Sequence, residues 1–190
     1  MPGKLILVGG YCAAGKTVFS RELARTLNIP VFNKDTIKEI VGEGFGRKNA
    51  AVHQKNSDVT FMLMLHIAEC FLKAGTPCIL ESNFKLAESK QIAAMLEGYD
   101  CECLTFLFKG NLDVLFKRYI ERERSGERHW VHLAVSKDAL DSFKAGQIAS
   151  GLAKASVGQT VYIDATDFSK IDYSALFDTA KAFLYSNPAI

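Results

Sequence analysis

The run KLILVGGYCAAGKT, residues 4–17, limits what this chain can fold into more than any other stretch. An apolar segment without alternation is the signature of a strand buried on both faces, as in a parallel sheet covered by helices. It leads into Gly10, four further residues, and then Gly15, Lys16 and Thr17, the complete spacing of a phosphate-binding loop. Glycine lets such a loop turn sharply and aim successive N–H groups inward, making an anion nest that runs into the positive end of the next helix. The cradle expected here is formed by Gly10, Tyr11, Cys12, Ala13, Ala14, Gly15, Lys16, Thr17 and Val18. In a triphosphate site Lys16 reaches the β- and γ-phosphates and the Thr17 hydroxyl ligates Mg²⁺. Val18, Phe19, Leu23 and Leu27 recur at helical spacing directly afterwards, which is the strand–loop–helix setting the motif requires.

Beyond Pro30, Val31 and Phe32 read as a short strand, and a short helix opens at Asp35. The polar, glycine-bearing segment from Gly42 to Asn56 reads as a loop, and Ser57 and Asp58 open a long helix that Lys73, Ala74 and Gly75 close. Strand and helix patterns then alternate to the end, with strands around CIL, CECLTFLF and TVYID. The expected fold is α/β: a three-layer arrangement with a mostly parallel five-stranded sheet, helices on both faces, and a single domain over residues 1–190.

Charge and cysteine content narrow the function. Lys plus Arg total 23 against 21 for Asp plus Glu, so the +2 balance provides no global field for nucleic acid or anionic membrane, and any basic site must be local. The apolar stretch from Phe61 to Leu72 is interrupted by His66 and Glu69 and falls short of a membrane span. With no leader pattern at the N-terminus and five cysteines in no zinc-type pairing, the sequence points to a cytoplasmic protein whose thiols pack as small hydrophobes.

In open parallel sheets ligands bind outside the carboxyl ends of the strands, so the polar residues that follow each strand carry the interest. Asp35 either caps its helix or serves as a general base toward a hydroxyl. Glu81 contacts Mg²⁺ or the acceptor, or is satisfied by nearby amides; Asn83 and Phe84 follow it in the same exit loop, Phe84 reading as core. Asp164, Thr166 and Asp167 read as an ordinary turn. In LFKRYIERERSGERHWVH, Arg118 and Arg122 share a helix face, Arg128 lies beyond, and Gly126 suits the hinge of a lid spanning about 118–135. Such a lid brings guanidinium groups over a triphosphate, with Arg122 the leading candidate. His129 and His132 are spaced three apart, but no nearby residue in the sequence completes a metal set.

On the phosphate loop, Asp35, Glu81 and the arginine segment, the chain resembles the phosphate-loop kinases that include polynucleotide 5′-hydroxyl kinases, chloramphenicol phosphotransferases, gluconate kinases and zeta toxins. That resemblance implies a nucleoside-monophosphate-kinase-like fold with a helical lid, ATP and Mg²⁺ as cofactors, and Asp35 as general base. It also implies that Arg122, with Arg118 one turn earlier, contacts the transferred phosphoryl group. Lys38 stands where polynucleotide kinases hold the acceptor's phosphate with arginine, and an ammonium lacks that bidentate fork. The expected activity is therefore transfer of the γ-phosphate to a hydroxyl of a small-molecule acceptor. The expected acceptor contacts come from Asp35, Lys38, Glu81, Asn83 and Arg128. A nucleotide or polynucleotide acceptor, and a switch or ATPase without an acceptor, are the alternatives.

Overall fold

The structure is a computed structural model that describes residues 3–45, 50–124, 129–132 and 139–185. Its elements run β1 (Gly3–Gly10), α1 (Lys16–Leu27), β2 (Val31–Asn33), α2 (Lys34–Phe45), α3 (Ala50–Lys73), β3 (Cys78–Glu81) and α4 (Leu86–Leu96). They continue with β4 (Cys101–Lys109), α5 (Leu112–Arg124), α6 (Leu140–Ala149), β5 (Gln159–Asp164) and α7 (Tyr173–Tyr185). The five strands lie in the order β2-β3-β1-β4-β5, and every pairing is parallel rather than mostly so.

Strand β1 explains why its sequence shows no alternation: both of its faces are covered. Ile6 and Val8 face a layer built from Phe19 and Leu23 of α1, Leu115 and Phe116 of α5, Phe143 of α6 and Phe183 of α7. Leu5 and Leu7 face the opposite layer, with Phe61, Met64 and Leu72 of α3 and Ile92 of α4. Burial of these apolar faces, at roughly 25 cal/mol per Å², is the main stabilising term. On the first face Phe19 meets Phe106 and Phe108 edge-on at 5.1 and 5.2 Å and stacks on Phe177 at 5.6 Å.

One element differs from the sequence reading. Helix α3 starts at Ala50, not at Ser57, so the second part of the segment read as a loop is helical. His53 has a tertiary partner, its Nδ1 lying 2.9 Å from the Val131 carbonyl, and Asn56 is buried, its main-chain carbonyl accepting from the Thr60 hydroxyl of the same helix at 2.6 Å. Polarity that reads as solvent exposure is here satisfied inside the fold. Helix α2 likewise continues through Gly42 to Phe45, because Gly42 is where Val131 packs; a β-carbon there would sit 2.5 Å from the Val131 Cγ2.

Candidate active site

A cavity of about 720 Å³ opens at the carboxyl ends of the central strands, bordered by the loop between β1 and α1. Gly10 has φ +113, and a β-carbon there would lie 2.0 Å from the Phe108 carbonyl oxygen, so the close approach of β1 and β4 demands glycine. Ala13 takes φ +57, and Gly15, at φ +85, is the residue that starts α1. Not every loop amide faces inward. The Tyr11 N–H donates to the Phe108 carbonyl at 2.9 Å and the Cys12 N–H to Gln147 Oε1 at 2.9 Å, although the residues from Cys12 to Val18 all line the cavity. Lys16 is 6% exposed, and its ammonium donates to the Tyr11 carbonyl at 2.5 Å.

Glu81 ends β3 next to the loop and is 4% exposed. Its Oε2 accepts from the Thr17 hydroxyl at 3.1 Å and from the Asn33 side-chain amide. Burial pushes its pKa up to about 7; Asp35 pushes the same way, while Lys16, Thr17 and Arg21 oppose. Asn33 also takes the capping role, one of the two readings of Asp35. Helix α2 begins at Lys34, and Asn33 Oδ1 accepts from the Thr36 N–H at 2.9 Å, so Asn33 is the cap. Asp35 is instead an exposed carboxylate in the first turn, on the cavity wall.

Lys34, Lys38, Asn83, Lys85 and Glu88 complete that side of the cavity, with His53, Ser57, Ser82 and His132. Lys34 is paired with Glu88, and the Lys38 ammonium lies 3.0 Å from His53 Nε2. Phe84 is core, with φ +39. Asp164 and Asp167 make the ordinary turn expected, accepting from the Thr166 and Ser169 amides at 2.9 and 3.1 Å.

Arg118 and Arg122 both line the cavity, but their surroundings differ. The Arg118 guanidinium donates to the Ala165 and Thr166 carbonyls at 2.5 and 2.8 Å and lies 3.9 Å above the Phe168 ring. It is thus engaged with the loop after β5, a contact that helical spacing cannot reveal. Phe168 sits against Gly15, where a β-carbon would meet its ring at 3.2 Å, so an aromatic face and a guanidinium flank the start of α1. Nothing in the sequence marks Phe168 as part of the site. Arg122 is exposed, with its guanidinium 5.5 Å from the Tyr119 ring. Arg128 and Gly126 lie outside the described residues.

Residues 129–132 of the expected lid dock on α2. His129 and Trp130 bond Glu43 at 2.7 and 3.0 Å, and His132 bonds Glu39 at 2.9 Å. The carboxylates missing near these histidines in sequence are thus supplied by another helix, one per histidine. Among the described residues no group of three or more His, Cys, Asp or Glu is arranged to hold a metal ion. No described helix is long and apolar enough to cross a membrane.

Comparison with known proteins follows this geometry. A shikimate kinase from Flavobacterium psychrophilum is 29% identical over 103 residues, which are 50% of this chain; the chain spans 59% of that protein's length. A solved structure from Chloroflexus aurantiacus, provisionally described as a kinase, superposes with a TM-score of 0.81 at 24% identity over 96% of this chain and 99% of that one. A gluconokinase from Sinorhizobium meliloti superposes at 0.56 with 17% identity, over 96% and 91%. These superpositions establish the fold, that of the phosphate-loop kinases. A family profile described as an AAA domain matches residues 5–145, from β1 through the phosphate loop, Asp35, Glu81 and Arg122 into α6. The chain belongs to this AAA domain family, AAA_33.

Proposed function

We propose that the protein is an ATP-dependent kinase that transfers the γ-phosphate to a hydroxyl of a small-molecule acceptor. The observation that carries this reading is the convergence of Lys16, Thr17, Asp35 and Glu81 on one cavity beside the phosphate loop. A triphosphate lies along the amides from Ala13 to Val18, with the Lys16 ammonium exchanging its Tyr11 carbonyl for phosphate oxygens. Arg118 and Phe168 flank the nucleotide at the start of α1. Arg122, exposed at the cavity wall, offsets charge on the phosphoryl group as it moves.

Asp35 accepts the proton of the acceptor hydroxyl as its oxygen bonds to the γ-phosphorus and the bond to the β-phosphate oxygen breaks, releasing ADP. Asp35 suits this task better than Glu81, whose Oε2 already accepts two hydrogen bonds, from Thr17 and Asn33. Mg²⁺ suits the hydroxyl and carboxylate oxygens of Thr17 and Glu81, which meet at 3.1 Å on the cavity wall. Bound there, the ion would neutralise charge on the phosphates.

A small acceptor is favoured over a polynucleotide because Lys34 and Lys38 are buried in the cavity wall instead of forming an open basic track. Lys38 and Asn83 supply donors to the acceptor. The names of the similar proteins, a shikimate kinase and a gluconokinase, agree with a small hydroxylated acceptor. The test is transfer of radiolabelled γ-phosphate across a panel of sugars, hydroxy acids, nucleosides, antibiotics and oligonucleotides. Lys16→Ala abolishes ATP-dependent turnover, while Asp35→Asn keeps ATP binding and lowers transfer by roughly a hundredfold. Parental turnover in Asp35→Asn removes it as the base, and ATP hydrolysis without any labelled acceptor favours a nucleotide switch.

A further inference from the structure

We infer that Gln147 is a positioning residue of the phosphate cradle: its side-chain oxygen accepts from the Cys12 N–H and so holds the Tyr11–Cys12 peptide, whose carbonyl binds the Lys16 ammonium, in the orientation from which the chain enters the left-handed Ala13. The inference rests on the nucleotide-binding reading given above.

Gln147 lies on α6, 135 positions from Cys12, and is 8% exposed. Its Oε1 accepts from the Cys12 N–H at 2.9 Å, and its Nε2 donates toward the Cys12 Sγ at 3.5 Å. Asn83, in the loop after β3, donates to the same sulfur at 2.9 Å, and its carbonyl accepts from the Gly10 N–H at 3.4 Å. Cys12 is thereby gripped from two sides, by the loop that leads toward the acceptor side and by the helix that follows the lid segment. The next residue, Ala13, takes φ +57 without being glycine. A side chain in that region persists only where neighbours hold it, and the residue after it, Ala14, is fully buried.

The direction of the Cys12 amide matters most. In a nest, consecutive N–H groups converge on the anion. Here the Cys12 N–H is taken by Gln147 and is turned away from any anion in the cradle. Without Gln147 that amide must find a new acceptor, and rotation of the Tyr11–Cys12 peptide to reach one alters ψ of Tyr11 and φ of Cys12, swings the Tyr11 carbonyl that holds the Lys16 ammonium, and redirects the chain entering Ala13. Phe143, one turn before Gln147 on α6, packs on Phe116 and Tyr119 of α5 at 5.3 and 5.5 Å. The same α5 carries Arg118 and Arg122, so Gln147 ties the cradle to the layer that holds the arginines.

The test compares Gln147→Met, Gln147→Glu and Phe143→Leu with the parent, by calorimetric titration with Mg·ATP, thermal unfolding, and hydrogen exchange of the Cys12 amide in nucleotide-free protein. Gln147→Met keeps the volume and removes the acceptor; its Kd for ATP rises about tenfold and the Cys12 amide exchanges faster. Gln147→Glu retains an oxygen for that amide and restores slow exchange. Phe143→Leu trims the packing between α6 and α5 and lowers the Tm, but keeps an apolar side chain there and the Gln147 amide in place, so the ATP Kd stays within about twofold. Parental affinity and exchange in Gln147→Met overturn the inference, as does an equal loss of affinity in Phe143→Leu. A parent that binds no ATP defeats the nucleotide reading instead, and the exchange comparison still decides whether Gln147 holds Cys12.

Discussion

At the scale of single residues, the site is set by a few positions where only one side chain serves. Gly10 is one: Gly10→Ala drives a methyl into the Phe108 carbonyl and forces an alanine to φ +113. We expect a loss of about 3 kcal/mol or more in urea unfolding, or failure to fold. Glu81 is another. Its folded pKa is raised to about 7 from 4.5, so between those values the folded state binds a proton more tightly than the unfolded chain does. The stability of the nucleotide-free protein therefore falls as pH rises from about 4.5 to about 7. Gln cannot ionise and still accepts from Thr17. Glu81→Gln should match the parent's Tm near pH 4.5 and exceed it at pH 8, and a constant difference across that range would contradict the account. Buried cysteines follow the same physics: desolvation pushes the Cys78 thiol up to about 12, in keeping with a packing role.

At the scale of elements, what the sequence made legible and what it hid divide along one line. Features that depend on a residue's own neighbours were readable: the phosphate loop, the doubly buried β1, the glycine stop at Gly75, where φ is +65, and the start of α1 at Lys16. Features that depend on a distant partner were not. The first two turns of α3 look like loop because the partner of His53 lies 78 positions away, and the bonds of Arg118 to the loop after β5 are hidden because its carbonyl partners lie 47 and 48 positions away. Gln147 is a lone amide on a weakly patterned helix, and only the Cys12 contact gives it meaning. The docking of residues 129–132 on α2 is of the same kind. Gly42→Ala improves helix propensity by up to about 1 kcal/mol yet presses on Val131. Amides of residues 129–132 should then exchange faster while the rest of α2 is unchanged or slower, as read by hydrogen-exchange mass spectrometry. Unaltered exchange at those positions would mean that Val131 is not what holds this segment to α2.

At the scale of the molecule, the sheet separates two apolar layers. Phe19 is central to the first, touching Phe106, Phe108, Tyr173 and Phe177. Phe19→Ala should cost about 3–5 kcal/mol in denaturant unfolding, because the rings around it are held by separate strands and helices and cannot all collapse into the gap. The phosphate loop and α1 draw on that layer, through Ala14, Phe19 and Leu23. The polar wall of Lys34, Lys38 and Glu88 stands on α2 and α4, and the second layer supports it through Ile37, Phe61 and Ile92. Under the proposed transfer reaction, the two substrates would thus be underwritten by different cores that share only the strands between them. On that reading, specificity toward the group that receives phosphate is open to redesign from one side of the sheet while the apparatus proposed to grip the donor, rooted on the other, is left as it is.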